Sequence, residues 1–240
     1  MEGFSYSDIF ATKGIEYLVI IAFLATLIPF SVFLNKQVKI TRQIQTALGI
    51  LSVRILKIPL GLFFSRNHTW MFMEQSGTAK VGLDDLLLHI TGEVKFTNLK
   101  NPGELINKGD VLTEIDQNGK MLQVLSPLSG KILDTNPILR YHPGMLNEDP
   151  YGKGWICKVK PSNWIADAKC CFFAEEAANW SAMELDRFKD FLAVTVRNYV
   201  PGSAKVVMQD GGELRDHSLS ELPAEIWKDF QKEFLNLYRF

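Results

Sequence analysis

A mainly β central domain, preceded by a membrane-crossing helix and followed by an α+β extension, is the fold class that this 240-residue sequence predicts. Three observations carry it. Tyr17 to Leu34 (YLVIIAFLATLIPFSVFL) has no charge. From about Pro59 to Asn163, short apolar runs alternate with Gly, Pro, Asn and Asp clusters, the texture of a small β domain. Beyond Asn163, helical periodicity resumes around one strand-like run. Four segments are expected: 1–35, tail and transmembrane helix; 36–58, a basic amphipathic juxtamembrane helix; 59–163, the β domain; and 164–240, a helix-strand-helix extension.

The N-terminal segment comes first. Eighteen uncharged residues plus the flanking Ile15 and Glu16 approach the ~20 needed to cross ~30 Å of hydrocarbon. A cleaved signal peptide fits less well, because Glu2, Asp8, Lys13 and Glu16 replace a cationic cluster; a buried core helix is the other alternative. Lys36, Lys39 and Arg42 follow, then Arg54 and Lys57. The positive-inside rule therefore puts the N-terminus outside and the remaining ~200 residues in the cytoplasm of a single-pass membrane protein. Next, Ile44, Leu48, Leu51, Ile55 and Ile58 form one helical stripe. Such a helix lies in the membrane plane, docks on a partner subunit or packs on its own domain.

Composition narrows the function classes. A net charge of −1 supplies no basic field, so no nucleic-acid partner is expected. Three cysteines, Cys157, Cys170 and Cys171, are too few for a disulfide framework, and free thiols are expected.

In the β domain, Thr69–Glu74 and Thr78–Val81 flank Gln75-Ser76-Gly77 as a hairpin. Leu83–Ile90 reads as a helix with Asp84 and Asp85 in its first turn, where the dipole favours them. Glu93–Leu99 alternates as a strand. Asp110–Ile115 and Met121–Leu125 flank Asn118-Gly119, the strongest hairpin signal in the chain, because a type I′ turn needs positive φ at both positions. Lys131–Thr135 continues the sheet after the turn Ser126–Gly130.

Several blocks occur in a fixed order: H-T-W (His68–Trp70), T-A-K-V-G-L-D-D (Thr78–Asp85), G-E-V (Gly92–Val94), P-G-E-L-I-N-K-G-D (Pro102–Asp110), S-P-L-S-G-K-I (Ser126–Ile132), L-N-E-D-P-Y-G-K-G-W (Leu146–Trp155) and K-P-S (Lys160–Ser162). This series resembles the H-protein of the glycine cleavage system. The resemblance implies a lipoyl/biotinyl-type barrel-sandwich hybrid of two small antiparallel sheets. It implies a lipoyl-lysine at a hairpin tip, whose arm carries an aminomethyl group between separate enzymes, on a protein that itself catalyses nothing.

Lys120 stands seven residues before Pro127, whereas the family's lysine stands eight before that proline, where this chain has Gly119. Side chains alternate faces along a strand, so one residue of offset matters. Lys120 is either a plain exposed hairpin lysine or a lipoyl attachment point, and it is the one candidate cofactor-binding residue. The Lys120-Met121 pair is also like a biotin site, with the wrong spacing to Pro127.

In the extension, Leu185, Phe188, Leu192, Val196 and Tyr199 form a helical stripe, Ala204–Gln209 a strand, and Glu213–Leu219 its expected partner. Pro223 opens a last helix with Ile226, Trp227, Phe230, Phe234 and Tyr238 on one face. Cys170 and Cys171 read as two buried thiols, with acylation near a membrane as the alternative. The four histidines, His68, His89, His142 and His217, lack metal-ligand spacing, and no catalytic motif is found. No catalytic and no metal residue is therefore expected, and the chain is read as no enzyme. The leading expectation is a degenerate, membrane-anchored H-protein-like subunit, without cofactor, that docks other subunits of a membrane complex, with the bilayer as a partner. The alternative is a carrier lipoylated at Lys120, shuttling electrons or one-carbon and aminomethyl groups between enzymes.

Overall fold

The computed structural model describes residues 16–31, 49–199, 208–209 and 213–236. The chain divides into two units, Met1–Leu48 and Gly49–Phe240. In the first, residues 16–31 form helix α1. No helix of the described residues is long and apolar enough to cross a membrane. The transmembrane helix expected over Tyr17–Leu34 is thus not found, and the single-pass topology, its orientation and the bilayer as partner lose their basis. Residues 32–34 lie outside the described part.

The second unit is mainly β. Its strands are β1 (Ile50–Leu51), β2 (Phe63–Phe64), β3 (Thr69–Met73), β4 (Ala79–Leu83), β5 (Lys95–Thr97), β6 (Leu105–Ile106), β7 (Val111–Gln117), β8 (Lys120–Leu125), β9 (Gly130–Thr135), β10 (Cys157–Pro161), β11 (Phe172–Phe173), β12 (Met208–Gln209) and β13 (Glu213–Arg215). A seven-stranded sheet has the order β11-β2-β3-β4-β10-β9-β6, and two three-stranded sheets run β5-β7-β8 and β1-β13-β12. The helices that position the site are α2 (Asp85–Thr91), the long α3 (Ala174–Tyr199) and α4 (Ala224–Asp229), which widens into a π-helical turn over Phe230–Leu235. Asp84 caps α2 by accepting the Leu87 N–H, one of the orphan donors of a helix start.

One hydrophobic core joins Met71 and Val81 of the large sheet, Leu112, Ile115, Leu122 and Val124 of the β5-β7-β8 sheet, and Leu185, Phe188, Trp227, Phe230 and Phe234 of the extension. The core therefore draws residues from each of the segments expected at 36–58, 59–163 and 164–240. The family-like motifs have steric reasons. A Cβ on Gly130 would collide with the Lys160 backbone carbonyl, where β9 and β10 approach closely. A Cβ on Gly82 would run into the Trp70 indole. In the N-E-D-P-Y-G-K-G-W block, the Asp149 carboxylate accepts the Gly152 and Lys153 N–H groups, each at 2.9 Å. The Tyr151 hydroxyl accepts the Asp85 N–H at 2.9 Å.

Several expectations need correction. Within the helix expected over Ile44–Ile58, the described part is instead β1, with Ile50 opposite Arg215 and Leu51 opposite Leu214, followed by a turn closed by Ile55 N–H to Ser52. The buried Leu51 and Ile55 side chains serve the core of the unit, so apolar spacing there reports core packing rather than a helix. Ile44 and Leu48 lie outside the described residues. The strand expected at Glu213–Leu219 ends at Arg215, and Ser218–Glu221 is a 3-10 turn. On α3, Leu185, Phe188 and Leu192 are buried while Tyr199 is half exposed; the Val196 side chain and Tyr238 lie outside the described part, as do residues 204–207. Cys170 is exposed and Cys171 half-buried, so the expected pair of buried thiols is not formed; Cys157 is buried.

Candidate functional site

Strands β7 and β8 pair in antiparallel register from Val111 opposite Leu125 to Gln117 opposite Lys120. Between them Asn118 and Gly119 have φ of 53° and 83°, the sign that a type I′ turn requires at both positions. The Asp116 carboxylate accepts the Gly119 N–H at 3.0 Å and braces the turn. Lys120 is thus the first residue of the return strand.

The Lys120 side chain does not extend into solvent, as expected of a plain hairpin lysine. Its Nζ donates to the Ser220 carbonyl at 2.6 Å and to the Leu222 carbonyl at 3.1 Å. It also lies 5.3 Å from the centroid of the Trp227 ring, a cation–π distance. Trp227 is fixed in turn, its Nε1–H donating to the Leu219 carbonyl at 2.8 Å. Along the same strand, the Gln123 N–H donates to Gln231 Oε1 at 2.6 Å. Partial burial lowers the Lys120 pKa below its ordinary value. Two carbonyls and an aromatic face suit an ammonium. An acylated amine has no charge and a single N–H, so in this conformation the partners of Lys120 do not fit a lipoyl amide.

Backbone carbonyls leave no trace in a sequence, so Ser220 and Leu222 could not be picked out beforehand. Trp227 was legible only as part of an apolar stripe.

A buried polar chain lies beneath the extension. His68 Nδ1 is 2.8 Å from Asp84 Oδ2, and its Nε2 is 3.7 Å from Glu184 Oε2 on α3. Burial opposes a charge on His68, but Asp84 and Glu184 outweigh it and raise its pKa to about 9. Burial likewise pushes Glu184 upward, yet His68 and Arg187 hold it below the usual carboxylate range. Phe234 stacks on the His68 ring at 5.5 Å.

A cleft of about 380 Å³ lies between the turns of the sheets, with Asn67, Lys108, Ser126, Cys170 and Cys171 on its wall. Burial raises the Cys171 thiol to about 11, which leaves it mostly protonated and a poor nucleophile near neutral pH. The structure also brings His89 beside Asp216 and His217, a grouping that their sequence separation concealed.

The family model for the glycine cleavage H-protein matches residues 62–182, about half of the chain. The chain belongs to the glycine cleavage H-protein family. A probable glycine cleavage system H protein of Thermococcus gammatolerans is 36% identical over 124 residues, which cover 52% of this chain and 92% of that protein. The glycine cleavage system H protein of Psychrobacter cryohalolentis is 34% identical over 122 residues, 51% of this chain and 96% of its own length. Among solved structures, an H protein from Mycobacterium marinum aligns with a TM-score of 0.41 at 25% identity, over 44% of this chain and 87% of that one. The H-protein match runs past the expected Asn163 boundary and takes in β11 and the start of α3. It includes Lys120 but excludes Ser220, Leu222 and Trp227, so the groups that cover the lysine come from outside the family segment.

Proposed function

We propose that this chain is an H-protein-type carrier: a non-catalytic protein modified at Lys120 that passes electrons or one-carbon and aminomethyl groups between separate enzymes. The observation that carries this reading is the place of Lys120. It heads the return strand of the β7–β8 hairpin, inside the segment that matches the family. Its partners are other protein subunits, which meet it at that hairpin. The described conformation is then the unmodified one, and attachment requires the Ser220–Leu222 segment to withdraw from Nζ.

The hydrogen bonds of Lys120 to Ser220 and Leu222 favour a second reading, an unmodified docking subunit that keeps the H-protein fold and uses the lysine to fasten its extension. Intact-mass measurement after expression in a lipoylation-competent host separates the two. The carrier reading expects a lipoyl mass increment that is absent from Lys120→Arg. An unmodified wild-type chain from that host sinks it and leaves the docking reading.

A further inference from the structure

The carrier reading leaves one side-chain cluster unused. His89 stands in the last turn of α2; Asp216 and His217 follow β13 directly. One donor atom from each of the three residues lies within 4.8 Å of the others. His89 Nδ1 is 2.8 Å from Asp216 Oδ1, and His217 Nε2 is 3.7 Å from Asp216 Oδ2. Tetrahedral zinc sites with bonds of about 2.0–2.2 Å set neighbouring donor atoms roughly 3.4 Å apart. The two observed spacings, measured to different oxygens of Asp216, lie on either side of that value, and all three donors stay within 4.8 Å, so binding one ion requires the side chains to rotate toward it.

The backbone fixes the cluster from both sides. The His217 N–H donates to the His89 carbonyl at 2.7 Å, and the Asp216 N–H to the Gly49 carbonyl at 2.6 Å. His217 is held at φ 58°, a left-handed conformation uncommon for residues other than glycine and of a kind that clusters at functional sites. Asp85 Oδ2 lies 3.5 Å from His89 Nε2. That is the arrangement in which a carboxylate orients a metal-bound imidazole through its second nitrogen. The His217 side chain is about half exposed, which leaves water room to complete the coordination.

We propose that His89, Asp216 and His217 form a binding site for one divalent transition-metal ion of the zinc type, with Asp85 orienting His89. Imidazole and carboxylate donors suit such an ion. Because His89 belongs to α2 and the other two ligands to the extension, the ion staples the extension to the β domain. The site stands whether or not Lys120 is modified.

Cys170 and Cys171 could bind the same ions, so the test uses the full chain carrying Cys170→Ser and Cys171→Ser. Zn²⁺ titration by calorimetry is expected to give one site per chain, and Co²⁺ to give visible d–d absorption without thiolate charge-transfer bands. His217→Ala in that background is expected to weaken Zn²⁺ binding at least ~100-fold, beyond the range for losing an outer-shell partner. Zn²⁺ is also expected to raise the thermal midpoint of the parent but not of His217→Ala. Because His217 is exposed, the variant is expected to keep the circular dichroism of its parent. If that spectrum is lost, Asp216→Asn takes its place with the same expected losses. Absence of Zn²⁺ binding by the parent, or undiminished binding by the folded variant, overturns the proposal and leaves the cluster as an ion-pair network.

Discussion

Lys120 Nζ lies 2.6 Å from the carbonyl oxygen of Ser220, one hundred residues further along the chain. The contact closes the C-terminal extension over the lysine at the hairpin tip. An amine engaged by two carbonyls and an aromatic ring must leave them before it attacks an acylating reagent. Lys120 is therefore expected to acetylate more slowly than the exposed Lys131, Lys153 and Lys160. Peptide mass spectrometry at short reaction times checks this, and equal rates at all four positions refute the closed state.

Gly130 predicts a steric loss. A Cβ there meets the Lys160 carbonyl and the Val159 side chain, and backbone cannot yield as a flexible side chain does. Gly130→Ala is expected to destabilise the protein by about 1–3 kcal/mol, the range for overpacked sites. Urea denaturation gives the measurement, and a midpoint equal to that of wild type would falsify the packing argument.

These two positions also mark where sequence reading succeeded and where it failed. The Ser126–Gly130 and Leu146–Trp155 blocks were legible because particular residue types answer particular backbone demands, a close approach of β10 at Gly130 and a braced turn at Asp149. Asn118-Gly119 was legible for the same reason, as its two positive φ values agree with the expected turn. The apolar Leu51 and Ile55 misled, since a helical spacing also occurs by chance in a segment whose side chains fill a core. The covering of Lys120 was illegible, because its acceptors are main-chain carbonyls reached only through tertiary folding. The long uncharged run misled differently: apolar content was plain, but no helix among the described residues is long and apolar enough to cross a bilayer.

Phe234 tests whether the extension and the β domain fold together. It is buried, stacks on His68 at 5.5 Å and on Phe230 at 4.8 Å, and lies 3.8 Å from the Arg187 guanidinium. Phe234→Ala removes these contacts and opens a cavity in the shared core, with an expected loss of about 3–5 kcal/mol. Because that core is continuous, the wild-type unit is expected to give one calorimetric transition, and the variant one transition at lower temperature. A separate early transition for the extension would contradict the shared core.

The buried pair of His68 and Asp84, extended to Glu184, predicts a pH dependence. The folded pKa of His68, about 9, is above the ordinary 6.5. Its stabilising contribution is therefore complete below about pH 6.5 and lost as pH rises through about 9. The shift corresponds to on the order of 3 kcal/mol at full expression. Glu184, held below its ordinary value, acts with the opposite sign: its contribution is present above about pH 4.5 and lost as pH falls through its folded pKa. Glu184→Gln removes one of the two carboxylates that face His68, leaving Asp84, and removes the ion pair with Arg187, whose contacts with Phe234 remain. Unfolding free energies measured by urea titration at several pH values are expected to fall less steeply between pH 6.5 and 9 in this variant than in wild type. Contributions from other groups, including His89, cancel in that comparison. Parallel pH profiles for the two proteins would show that Glu184 does not sustain the charge on His68.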